Sequence, residues 1–145
     1  MKKLLTLFMC FALVGLYSCG SDDDDNGGDD TVKLTASFKY MKDNVATASP
    51  LTIMYLYDTK GEDTSGWVYD SESSSHTMKR PDNTVVYPKY SFISEPNKDI
   101  NENIDNNVSY IYIAICGVDY SQTVTDKFKT NGAAIKIEKT LTANN

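Results

Sequence analysis

From Thr31 onward the chain alternates with period two. Val32, Leu34, Ala36, Phe38 and Tyr40 fall on one face, and Thr31, Lys33, Thr35, Ser37 and Lys39 on the other. This spacing predicts a strand with one wet face. Residues 51–57 read Leu-Thr-Ile-Met-Tyr-Leu-Tyr, apolar on both sides, as a central strand would be. Asp58-Thr59-Lys60-Gly61 marks a turn. Trp67-Val68-Tyr69 reads as a short strand. The polar stretch 70–83, with Ser71, Ser73, Ser74 and Ser75, reads as a loop or an edge, and His76 as a solvated loop residue. Residues 84–87 and 90–93 form a strand pair, or one strand broken at Pro88, which suits an edge. Residues 96–107 form a polar connection, in which 99–104 have room for one helical turn. Residues 108–116 are the most apolar strand, with Ile111, Ile113 and Ile115 sharing a face. Strands at 124–128 and 133–141 complete the set.

Seven or so short strands separated by turns predict an all-β domain over residues 31–145, a seven-stranded antiparallel β-sandwich. A domain of about 115 residues buries roughly two-thirds of the surface its unfolded chain exposes, enough for one core.

The first thirty residues follow other rules. Met1-Lys2-Lys3 is basic, and residues 4–16 are thirteen uncharged, mostly apolar residues. They fit a signal-peptide core and fall short of the ~20 a membrane-spanning helix needs. Leu16-Tyr17-Ser18-Cys19 resembles a bacterial lipobox. The resemblance implies removal of residues 1–18 and a diacylglycerol thioether on Cys19, with membrane lipid as its partner. Two or three acyl chains anchor stably, because each buried CH₂ contributes ~0.8 kcal/mol.

Residues 19–30 then supply a polar, self-repelling tether with no apolar residue to bury. Its Ser21, Asp22, Asp23, Asp24 and Asp25 resemble the lipoprotein export signal of Bacteroidota. That resemblance implies an outer-membrane protein, lipid-anchored and exposed at the cell surface. Asp30-Thr31-Val32 resembles the O-glycosylation sequon of the same group, which makes Thr31 a candidate acceptor at the tether's end.

Part of the domain also resembles a known family. Residues 51–61, an apolar strand ending in Asp and Gly, and residues 109–114 followed by Gly117 are similar to strands of prealbumin-like, or carboxypeptidase-regulatory, modules. The Gly-Glu start and Gly-rich middle turn of that family are missing. An immunoglobulin-like sandwich stays open beside the prealbumin-like one.

Charge narrows the chemistry. The chain carries 14 basic and 20 acidic residues. Without Lys2, Lys3 and the six aspartates of residues 22–30, the domain holds 12 against 14. Near-neutrality argues against nucleic acid, which needs a basic patch or stripe. Of three cysteines, Cys10 leaves with the signal and Cys19 takes lipid. Cys116 then has no disulfide partner, and its apolar surroundings suit a small packed hydrophobe.

Asp99, Asn101, Asn103 and Asp105 imitate a calcium loop, but Ile104 and Tyr110 stand where that loop needs Gly and Glu. The residues therefore imply neither a metal nor a cofactor. Nucleophilic catalysis needs a nucleophile, a base and an orienter, and no Gly-x-Ser-x-Gly is present.

The remaining signal is aromatic. Trp67, Tyr69, Tyr87, Tyr90 and Tyr120 sit on short strands or strand ends with polar neighbours. Such rings either cover sheet edges or stack on a sugar or a partner protein. Trp67, Tyr69, Tyr87 and Tyr90 are the candidate ligand contacts. The functional expectation is a non-enzymatic binding or structural module that meets a glycan or an envelope protein. The alternatives are an assembly subunit, fimbrial or accessory to nutrient uptake, and a hydrolase built on a carboxylate pair.

Overall fold

The computed structural model describes residues 30–48, 51–117 and 122–142. Cys19, Ser21, Asp22, Asp23, Asp24, Asp25 and Tyr120 lie outside them, as do the expected signal peptide and most of the tether.

The described residues are all-β. Their elements run β1 (Thr31–Lys42), β2 (Val45–Thr47), β3 (Thr52–Asp58), β4 (Val68–Asp70), β5 (Thr77–Lys79), β6 (Val85–Val86), β7 (Tyr90–Ser94), β8 (Ile100–Asp105), β9 (Ser109–Cys116), β10 (Gln122–Lys129) and β11 (Ile135–Thr142). The sandwich thus has eleven described strands instead of seven. The increase comes from β2, β5 and β8, pieces of three to six residues that the sequence pattern does not mark as strands.

The strands make three sheets. In the first, β1 is flanked by β11 on one side and by β8, then β2, on the other. The second runs β10-β9-β3-β7, and the third β4-β5-β6. All described pairings are antiparallel except one. β1 and β11 run parallel, Leu34 opposite Ile135 through Met41 opposite Thr142. The expectation of a purely antiparallel sandwich is corrected there. β11 reaches the first sheet from β10 in the second, so no hairpin fixes its direction against β1.

The second sheet is the middle layer. On one face Met54, Leu56, Tyr110 and Tyr112 pack with Val32, Leu34, Ala36, Ile100, Ile104 and Ile137 of the first sheet. On the other face Ile53, Tyr55, Tyr57, Ile111, Ile113 and Ile115 pack with Met78 of the third. A strand buried on both faces needs apolar residues at every position. This is why β3 and β9 read as continuous runs, while β1 alternates.

Three further expectations change. Residues 100–105 are a strand, not part of a connection with a helical turn; Ile100 and Ile104 are buried, and Asn101 and Asn103 are exposed. Residues 84–87 and 90–93 are neither partners nor one edge, because β6 joins the third sheet and β7 the second. The stretch 70–83 contains β5, whose Thr77 and Met78 are buried.

Two turns show their chemistry. Asp43 and Asn44 join β1 to β2 with φ of 51° and 61°. Two consecutive positive φ values make the hairpin turn whose twist suits flanking strands, and Asn and Asp tolerate them. After β3, Lys60 and Gly61 repeat the pair at 52° and 74°. The Asp58 carboxylate accepts from the Lys60 amide at 2.8 Å.

Candidate functional site

The four candidate aromatics do not meet on one platform. Trp67 and Tyr69 face inward from the third sheet and pack on the core beneath it. The Arg80 guanidinium lies 5.1 Å from the Trp67 ring centre. It also pairs with Glu62 at 2.9 Å. Tyr90 packs on the other core, between the first and second sheets. Tyr87 lies in neither core and is 65% exposed.

The third sheet brings His76 into the protein. Its ring stacks on Tyr55, centres 4.9 Å apart. Its Nδ1 lies 2.7 Å from the Tyr69 hydroxyl. The Tyr57 hydroxyl donates to the His76 carbonyl. His76 therefore pins the third sheet to the second, and its reading as a solvated loop residue is corrected. Its φ of 48° lets one residue present both ring and carbonyl to the tyrosines. Burial raises the Tyr57 phenol above its ordinary pKa, with smaller contributions from Tyr69 and Tyr55. Sequence gave one usable signal, a lone histidine between apolar tyrosine-bearing strands. The serines around it obscured that signal.

Charged groups collect at both open edges of the sandwich. On one, Tyr90 donates to Asp105 at 2.9 Å and Lys89 pairs with the same carboxylate. Lys89 also stands 4.0 Å from Asp58. The link crosses from β7 to β8, hence from the second sheet to the first. Hydrogen bonds from Lys89 and then Tyr90 lower the Asp105 pKa, and the Asp105 bond raises that of Lys89. Asp58 and Asp105 are thus two carboxylates sharing one lysine. Asp105 is held charged, the opposite of what a proton-donating acid requires.

At the other edge Lys139 of β11 pairs with Asp126 of β10 at 2.8 Å. That bond leads the lowering of the Asp126 pKa. Both edges are latched by Asp, Lys and Tyr, since the Tyr112 hydroxyl lies 3.5 Å from Asp126.

Tyr110 stands apart from these pairings. Its hydroxyl is buried and makes no hydrogen bond of good geometry among the described residues, with Tyr90 as a polar neighbour. Burial raises its pKa first, with like-signed contributions from Tyr90, Asp105 and Asp58.

A cleft opens at the end of the sandwich where β1 begins. One part, about 360 Å³, is lined by residues that include Thr59, Asp63, Ser109, Lys127 and Lys129. Its neighbour, about 310 Å³, includes Asp58, Lys60, Asn107 and Lys129. Thr59 fixes the rim, its amide and hydroxyl both donating to the Ser109 carbonyl at 2.9 and 3.0 Å. Neither part features in the sequence reading, because its residues come from separate turns and from the ends of β3, β9 and β10.

Thr31, the candidate glycosylation site, is the first residue of β1. It is half-buried and opposite Asp105, within the sheet and not on the tether. Cys116 is fully buried. Among the described residues no group of His, Cys, Asp and Glu is arranged to hold a metal ion, and no helix is long and apolar enough to cross a membrane. No family model, curated protein or solved structure matches the chain.

Proposed function

We propose that this chain is a non-enzymatic surface lipoprotein, a small β-sandwich carried on the outer membrane by lipid on Cys19 and turned outward to bind or build. The observation that carries this reading is the order of residues 16–31. A lipobox-like Leu16-Tyr17-Ser18-Cys19 leads directly into the aspartate run, and the run ends where the first strand starts. The twelve residues from Cys19 to Asp30, treated as a flexible polar linker, would span about 19 Å on average. That distance would hold the domain just clear of a membrane surface.

Two variants and one treatment test it. Cys19→Ser is expected to release the protein from the membrane fraction. Alanine at Asp22, Asp23, Asp24 and Asp25 is expected to keep the lipid but remove antibody labelling of intact cells. Protease shaving of intact cells should release fragments of the wild type. Membrane association of Cys19→Ser equal to wild type would end the lipid reading.

One observation favours the assembly subunit as a second reading. β11 is an edge strand eight residues long, pairing only with β1 among the described strands. Such an edge can accept another chain's strand. Sedimentation of the lipid-free protein at high concentration would reveal self-association, and a monomer throughout would count against assembly.

A further inference from the structure

The cleft at the β1 end gathers three lysines that its acids do not pair in salt bridges. Lys60, Lys127 and Lys129 line it. None of the three forms a salt bridge with a described residue. Two of the three acids beside them have a cation of their own, and the third, Asp63, keeps its charge. Glu62 is paired with Arg80. Asp63 accepts from the Ser65 amide and hydroxyl at 2.9 and 3.0 Å. Asp58 accepts from the Lys60 amide and stands by Lys89. Lys127 acts on Asp63 only through space, as the smallest contribution to its lowered pKa.

The chain enters the fold at this same place. The Asp30 carbonyl accepts from the Asn106 amide at 2.6 Å. The next residue, Asn107, lines the cleft. The Asn106 side chain also accepts from Asn107 and Gly132 at 2.9 and 2.8 Å, which fixes this corner. Five further aspartates, Asp22, Asp23, Asp24, Asp25 and Asp29, precede this point. The eight residue-to-residue steps from Asp30 back to Asp22 reach at most about 28 Å.

We infer that the lysine-lined cleft is the docking surface for the acidic segment of the same chain, residues 22–29. Charge complementarity selects the occupant, and its covalent attachment beside the cleft supplies a high effective concentration. Exposed ion pairs are individually weak and salt-sensitive. The segment is therefore held at low salt and let go at high salt. A docked segment would also shorten the reach of the tether and cover the aspartates of the export-like run. The inference does not depend on lipid at Cys19.

The test uses the full chain in neutral detergent, with lysine acetylation followed site by site by mass spectrometry. Lys42, followed in both proteins, supplies the controls, since it lies about 35 Å along β1 from Thr31 at the usual rise per residue. In wild type at ~10 mM salt, Lys60, Lys127 and Lys129 should label more slowly than at ~1 M salt, with the controls unchanged. Asparagine at Asp22, Asp23, Asp24, Asp25 and Asp29 should raise labelling of the three lysines at least about threefold, as expected for several exposed pairs acting together. Asp30 is left unchanged, so the corner at Asn106 stays intact. Equal labelling of wild type and the asparagine variant at low salt would overturn the proposal. Protection that appears only on adding anionic phosphatidylglycerol vesicles, equally in both proteins, would also overturn it and give the cleft to a lipid surface.

Discussion

The two faces of the middle sheet solve the same problem by different means. Toward the first sheet, β3 and β9 meet long strands, and Leu34, Leu56, Ile104 and Tyr110 are almost completely enclosed. Toward the third sheet the cover is β4, β5 and β6, two or three residues each. Strands that short contribute few ladder hydrogen bonds and little area. The cover is completed by the large rings of Trp67 and Tyr69 and pinned through His76 by Tyr57, Tyr55 and Tyr69. Ile113 is nonetheless as fully buried as Leu56. Strand length does not decide burial here, because aromatic area and a few side-chain bonds replace it.

The sharpest break of this comparison is a cavity on each side. Ile113→Ala and Leu56→Ala should each cost ~2–5 kcal/mol, the lost transfer energy plus the void. Denaturant titrations with matching losses would show one cooperative unit. A loss confined to Leu56→Ala would make the third sheet a loose cover.

Next in size is the pin. Tyr57→Phe removes the donor to the His76 carbonyl and should cost about 1 kcal/mol, the usual net worth of a part-buried hydrogen bond. Amide exchange at Met78 and Lys79 should rise more than at Leu34. Uniform change across both sheets would mean that the bond does not act locally.

Tyr110→Phe is the opposite experiment on the other face. Its hydroxyl is buried without a hydrogen bond of good geometry among the described residues, so deleting it should be neutral or stabilising by about 1 kcal/mol. Alkaline pH sharpens the contrast. Tyr57 and Tyr110 both have folded pKa values above the ordinary 10.0. A raised value contributes stability that is present below about pH 10, where unfolded tyrosine is also protonated, and is lost as pH rises through the folded value. Stability should therefore fall above pH ~10, and less so in Tyr110→Phe. A flat profile from pH 9 to 12 would contradict the burial of both phenols.

The smallest expected effect is at the solvent face of β1. Lys33 is exposed and makes no salt bridge with a described residue. Lys33→Ala should stay within ~0.5 kcal/mol in the same titration.

Sequence by itself determined what depends on neighbours along the chain. The alternation from Thr31 set β1 and its wet face, because successive side chains point to opposite sides of a strand. The apolar runs set β3 and β9 as interior strands, and the Lys60-Gly61 turn followed from the positive φ that glycine accepts. The lipobox-like residues and the aspartate run are equally local. Tertiary structure alone decided which faces meet. Ile111, Ile113 and Ile115 share a face, as the period requires, but that face looks at the small third sheet and not at β1. Period two assigns residues to a side without naming what lies beyond it. The same limit hid β5, which pairs across turns with β4 and β6, and β8, whose exposed polar residues alternate with buried isoleucines and which pairs with the distant β1. It also hid the lysine cleft, since Lys60, Lys127 and Lys129 come together only when the ends of β3 and β10 do. Charges far apart in sequence become one site by folding, because the sheets fix their ends in space.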